Sequence, residues 1–125
     1  MTLRAVGPAR PDTVWRRYTC LDQWASWSPQ IRAVHADRRE VSPGLSGTVQ
    51  TFAGIRIAFL VEDVDEEERS WTWRVRLGPA RLRLRHDVRA HAEGSETSLV
   101  LQGPAPLLAA YAPLARLALH RLVQP

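Results

Sequence analysis

Between Ser70 and Gln102 apolar and polar residues alternate through successive runs separated by turn signals, and the chain then changes period. In Ser70–Leu77, Trp71, Trp73, Val75 and Leu77 point to one face, while Thr72, Arg74 and Arg76 point to the other. Gly78-Pro79 turns the chain. In Ala80–Ala92, Leu82, Leu84, His86, Val88 and Ala90 share a face opposite Arg81, Arg83, Arg85, Asp87, Arg89 and His91. Glu93-Gly94-Ser95-Glu96 then leads by a tight turn into Thr97–Gln102. Strands joined in this way form an antiparallel meander with one apolar face, and that face needs a cover.

The cover follows in the sequence. Gly103-Pro104-Ala105-Pro106 opens a helix, with proline near the first turn where its missing N–H costs nothing. Helical spacing then runs from Leu107 to Val123. It predicts an inner face of Leu107, Tyr111, Leu114, Ala115, Ala118 and Leu122, with Ala109, Ala112, Pro113, Arg116 and His120 opposite. Pro113 inside the helix predicts a kink that bends the apolar face around the sheet, or a break into two helices.

The N-terminal half extends the same plan. Thr2–Val6 reads as a first strand, and Pro11-Asp12 as a helix start with Asp12 as N-cap. A second short helix is expected at Leu21–Ala25, ended by Ser28-Pro29. Strands follow at Ile31–Val41, Thr48–Ala53 and Ile55–Asp63, with a turn at residues 43–47. In the last of these, Ile55, Ile57, Phe59 and Val61 share one face. The architecture predicted is α+β: one domain over residues 1–125, with a curved antiparallel sheet around a long C-terminal helix, two short helices after the first strand, and a largely apolar cavity between sheet and helix.

Composition narrows the function classes. The lone Cys20 forms no intrachain disulfide and no cysteine metal cluster. No His-x-x-x-His or equivalent pattern exists, and His35, His91 and His120 have no partner at ligand spacing, so neither a metal nor a cofactor is expected. Met1–Pro11 lacks the apolar run of a signal peptide, and no stretch approaches the ~20 apolar residues of a membrane span. A cytoplasmic protein, monomeric or homodimeric, is the expectation. The net charge of +4 comes entirely from arginine, with no lysine in the chain. Arg81, Arg83, Arg85 and Arg89 form one outward row, which Arg74 and Arg76 extend. The row reads either as a solvated face or as a docking patch for an acidic protein or an anionic surface. Nucleic acid is not expected, because no aromatics interleave with it.

Two stretches at the ends carry a family resemblance. Asp12-Thr13-Val14-Trp15, then Trp24-Ala25-Ser26-Trp27-Ser28-Pro29-Gln30-Ile31-Arg32-Ala33-Val34, resembles the opening of the START-like, polyketide cyclase/dehydrase (SRPBCC, Bet v 1-like) superfamily, as does Gly44–Gly47. Gly94-Ser95-Glu96-Thr97-Ser98-Leu99, followed by Gly103-Pro104 and the long helix, resembles its C-terminal end. The resemblance implies a helix-grip fold that binds hydrophobic ligands such as lipids, polyketides, hormones or quinones. A minority of members are enzymes. The superfamily has no universal catalytic motif, so no catalytic residue carries over by position.

The candidate ligand-binding residues are Trp24, Trp27, Phe59, Trp71, Trp73, Leu84, His86, Tyr111, Leu114 and Ala118. Five tryptophans against two Tyr and two Phe suit a wide apolar lining, or simply a filled core. His86 interrupts an apolar face and could act as acid or base on a bound molecule, or be a core histidine with satisfied hydrogen bonds. Tyr111 could hydrogen-bond a ligand carbonyl or a partner within the protein. Asp63 shares the inward parity of Phe59 and Val61 but reads as a solvated strand end. Three functions stay open: binding of a small hydrophobic ligand, cyclase/dehydrase-type catalysis involving His86 and Tyr111, and protein interaction through the arginine row.

Overall fold

The computed structural model describes residues 1–125. Seven strands, β1 (Thr2–Gly7), β2 (Ile31–Ala36), β3 (Ser46–Thr51), β4 (Arg56–Asp65), β5 (Ser70–Leu77), β6 (Ala80–His91) and β7 (Gly94–Gln102), form one antiparallel sheet in the order β1-β7-β6-β5-β4-β3-β2. Helix α1 (Pro11–Thr19), a 3₁₀ turn (Leu21–Gln23) and the short α2 (Trp24–Trp27) follow β1, and α3 (Ala105–Leu122) ends the chain. Every pairing from β2 to β7 joins neighbours in sequence. Only β1 crosses the chain, pairing with β7 from Thr2↔Val100 to Gly7↔Ser95.

Curvature comes from two register shifts, at Ile31/Ala33 and at Val61/Asp63. The second corrects a simple parity reading. It carries Asp63 out of the inward row, and the residue is exposed. The β3–β4 connection also differs from expectation. β3 stops at Thr51 and β4 starts at Arg56, so Ile55 belongs to the turn and is exposed rather than inward. Gly54 takes φ 76° there, a conformation only glycine adopts at no steric cost. β2 is likewise shorter than the expected Ile31–Val41, ending at Ala36.

Helix α1 begins two residues earlier than an Asp12 cap would place it. Arg10 is the N-cap and Pro11 the first helical residue, which places Asp12 in the first turn, paired with Arg69 rather than capping. Three hydrogen bonds tie the N-terminal region to the end of α3. Ala9 N–H donates to Val123 O (3.0 Å), and Arg17 Nη1 donates to Leu122 O (2.7 Å) and Gln124 O (2.6 Å). The guanidinium thus satisfies carbonyls at a helix C-terminus and complements its dipole.

Helix α3 is unbroken through Pro113. Pro113 and Ala109, whose carbonyl loses its intrahelical donor, are both exposed, so water can take the donor's place. The buried stripe is Leu108, Ala112, Ala115, Ala118, Leu119 and Leu122. The predicted face was rotated: Leu114 is 38% exposed, Leu107 and Tyr111 are half-buried, and Ala112, assigned outward, is buried. Leucine and alanine occur on nearly every side of this helix, so periodicity alone does not fix its rotation. The anchored C-terminal end fixes it, where any Cβ on Gly7 would collide with Val123. Leu114→Ser should therefore change stability by less than about 0.5 kcal/mol, whereas Leu122→Ala should cost about 2.5 kcal/mol. Urea denaturation of the two variants checks this, and equal losses would refute the observed rotation.

Candidate functional site

The apolar sheet face, α2 and α3 enclose a cavity of about 140 Å³. Eighteen of its 22 lining residues are hydrophobic, and the polar exceptions are Ser28, Gln30, Thr51 and His86. Alternation explains most of the wall. Trp71, Trp73, Val75 and Leu77 come from β5, while Leu82, Leu84 and His86 come from β6, each set on one strand face. Leu107, Tyr111, Ala115, Ala118 and Leu119 close it from α3.

An aromatic cluster forms the deep wall. Trp24 stacks on Trp71 (centroids 5.8 Å apart, planes 24°), and Trp73 meets Trp24 edge-on at 5.1 Å. His86 lies flat on Trp71, centroids 4.0 Å apart and planes 7°. Tyr18 meets His86 at 5.2 Å. Hydrogen bonds hold most of this cluster in place. Trp24 Nε1 donates to Tyr18 O (2.7 Å) and Trp27 Nε1 to Arg17 O (2.9 Å). Thr97 Oγ1 donates to Asp87 O (2.9 Å), so its single proton is committed and Tyr18 must donate to Thr97 Oγ1 (2.6 Å). Burial pushes the Tyr18 hydroxyl well above its ordinary pKa, which keeps it a donor at every working pH.

His86 Nδ1 lies 3.3 Å from Trp71 O. A carbonyl only accepts, so Nδ1 carries the proton and Nε2 presents a lone pair. Burial pushes the His86 pKa down to about 3, against a smaller upward pull from the Trp71 carbonyl. The ring is therefore neutral near pH 7, and a hydrogen-bond acceptor rather than a cation. Tyr111 borders the same cavity. Burial pushes its hydroxyl up to about 12, and Gln30 is the polar neighbour that pulls the other way. No well-formed hydrogen bond joins these two, and Gln30 Oε1 is buried without a partner. Trp71 Nε1 and Trp73 Nε1 share that condition. Three of the four orphaned polar side-chain atoms thus belong to cavity-lining residues, each covered by neighbouring atoms, and the fourth, Ser42 Oγ, lies outside the lining. An unmade buried hydrogen bond costs about 1–3 kcal/mol.

Of the candidates named from sequence, Trp24, Trp27, Trp71, Trp73, Leu84, His86, Tyr111 and Ala118 line this one cavity. Phe59 does not. It is buried behind the lining, against Trp24 (5.8 Å) and Trp73 (5.2 Å). Leu114 does not either, because of the rotation of α3. Leu82, Leu99 and Val49 were legible as inward-facing strand residues but not singled out. Gln30 and Ser28 gave no signal, being polar residues around a proline. The arginine row is placed as read: Arg81, Arg83, Arg85 and Arg89 are all exposed on the outer face of β6. His35, His91 and His120 lie exposed and apart from the cavity.

No helix is long and apolar enough to cross a membrane. Among curated proteins, none matches the chain. Solved structures share its fold at low identity. Ara h 8.0201 superposes with a TM-score of 0.79 at 10% identity, over 98% of this chain and 93% of that one. XoxI from Bacillus cereus gives 0.78 at 15% identity, over 98% and 92%. Protein CV1439 from Chromobacterium violaceum gives 0.73 at 18% identity, over 100% and 96%. These likenesses establish the helix-grip fold alone. The family described as polyketide cyclase / dehydrase and lipid transport matches residues 1–125 without a gap at either end. With the whole length matched and the helix-grip architecture in place, the chain belongs to that family, within the START-like (SRPBCC) superfamily.

Proposed function

We propose that this protein binds a small, largely apolar molecule about one ring in size between the sheet and α3. The observation that carries this reading is the cavity itself: about 140 Å³ with an almost wholly hydrophobic wall. An engineered apolar cavity of roughly 150 Å³ in another protein takes up benzene. A lipid or a fused polyketide would need the walls to move apart. The family's description, which includes lipid transport, supports ligand carriage as the general role. The orphaned indole N–H groups of Trp71 and Trp73 favour a ligand with one hydrogen-bond acceptor, reached by a small rotation of either ring.

Catalysis of the cyclase or dehydrase kind is the second reading, favoured by His86 and Tyr111 bordering one cavity. The acidity of His86 weighs against it. A general base works best with a pKa near the working pH, and a group at about 3 is a weak base. Binding is therefore preferred over chemistry.

Thermal unfolding with phenol, indole and benzaldehyde as probes tests the proposal. At a hundredfold excess over Kd, a binding probe adds about 2.7 kcal/mol, which raises Tm by several degrees in a chain of this size. Ala115→Leu should abolish the rise while leaving the protein folded, because Ala115 is buried and borders the cavity. If no probe raises Tm, or if the rise survives Ala115→Leu, this reading is wrong.

A further inference from the structure

Charge is segregated along the sheet. The β3–β4 turn, the β5–β6 turn, the start of β2 and the start of α3 all lie at one end of the strands. Residues 28–34, 49–60, 74–84 and 100–114, which build that end, contain Arg32, Arg56, Arg74, Arg76, Arg81 and Arg83 and no Asp or Glu. Of the 13 acidic residues, Glu62 reaches into that end, and many of the others lie at the opposite end, at Asp63–Glu68 and at Glu93 and Glu96. Arg74 and Arg83 share Glu62 at 3.1 and 3.0 Å. Arg32, Arg56, Arg76 and Arg81 are exposed and make no ion pair. Arg76 and Arg81 even stand directly opposite each other on β5 and β6, a placement that costs stability unless an anion lies between them.

The same end carries exposed apolar side chains. Phe52 is 61% exposed and Ile55 47% exposed, both in the β3–β4 turn. The turn tips stand free, since a Cβ added to Gly54 or Gly78 would meet nothing within 4 Å. The cavity also reaches the surface here. Its lining residues Ile31, Thr51, Leu77, Ala80 and Leu107 are half-buried, whereas Trp24, Trp71 and Leu84 at the other end of it are buried.

We infer that this end docks on an anionic lipid bilayer, with Phe52 and Ile55 entering the headgroup layer and Arg32, Arg56, Arg76 and Arg81 meeting acidic headgroups. A free-standing apolar tip collared by cations is the arrangement an interfacial binder needs: apolar area supplies insertion, and each arginine near the surface adds attraction. An acidic protein would satisfy the arginines but would leave the projecting apolar turn of Phe52 and Ile55 without a reason. Docking in this orientation sets the cavity mouth against the bilayer. Such docking needs only the exposed turn and its collar of arginines, whatever the cavity carries.

Flotation with vesicles of phosphatidylcholine, with and without one part in three of phosphatidylglycerol, tests it. The protein should float with the anionic vesicles and not with phosphatidylcholine alone, and added salt should weaken the binding. Arg76→Gln with Arg81→Gln should lower the partition coefficient about fivefold for each arginine removed. Phe52→Ser with Ile55→Ser should lower it about tenfold, at unchanged Tm because both side chains are exposed. Absence of flotation overturns the inference. So does flotation indifferent to the Phe52 and Ile55 changes, which would mean charge adsorption alone, with no entry of the turn into the headgroup layer. A Tm rise with the ring probes but no flotation would dismiss docking and leave the cavity reading intact.

Discussion

Trp24→Ala is expected to lower the free energy of unfolding by about 4 kcal/mol. The ring is 1% exposed and contacts Trp71, Trp73 and Phe59. Its removal would leave a void in the wall between the cavity and the core, and its N–H bond to Tyr18 O would be lost as well. A domain of this size has roughly 5–15 kcal/mol to lose, so the variant should be marginal but foldable at low temperature. Trp24→Phe keeps much of the packing and loses the hydrogen bond, so its cost should fall well below that of alanine. Urea denaturation gives both values from the shift in midpoint at constant slope. A loss below about 1 kcal/mol for the alanine variant would mean the site collapses freely, contrary to the close ring contacts around it.

His86 makes the fold sensitive to acid. Burial in the folded protein pushes its pKa down to about 3, against the ordinary 6.5 of a histidine. Between those values the unfolded chain binds a proton that the folded protein excludes. The unfolded state therefore binds more protons, and stability rises with pH across the window. Above pH 6.5 His86 exerts no pull either way. Below it, each pH unit removes up to about 1.4 kcal/mol until pH 3 is reached. His86→Phe keeps an aromatic ring against Trp71 and cannot titrate. Its stability should fall less from pH 7 to pH 4.5, by about 2.5 kcal/mol relative to wild type. Parallel stability–pH curves for the two proteins would show that the folded ring titrates normally and that the burial argument fails.

The sheet was legible because its strands alternate cleanly. Trp71 to Leu77 and Leu82 to Ala90 show which side faces inward, and the turns at Gly78 and Gly94 mark where each strand ends. The pairing of β1 with β7 was less accessible, since nothing local in Thr2–Gly7 names a partner as far along the chain as Ser95–Val100. The orientation of α3 was misread for a different reason. Leu107, Leu108, Leu114, Leu117 and Leu119 surround the helix, and a side chain's burial there depends on the anchor from Arg17 and on Gly7 meeting Val123, both long-range. The cavity followed the same division. The tryptophans, Leu84 and His86 were placed by strand parity, while Phe59 fell behind the lining and Leu114 outside it. Gln30 became visible only when three unpartnered polar atoms turned out to belong to the wall of one cavity.

The first strand and the end of α3 meet, and this sets an order in which the fold can assemble during synthesis. Six strands pair with their sequence neighbours, so the meander from β2 to β7 can assemble as it leaves the ribosome. The first strand must wait for β7, and the apolar face stays bare until α3 emerges. Residues 122–124, which Ala9 and Arg17 grip, lie at the end of α3 and emerge after every strand. Until they arrive, the nascent chain presents Trp24, Trp71 and Trp73 to its surroundings. A chain cut short before α3 would remain in that state, a natural client for chaperones and proteases rather than a smaller folded protein.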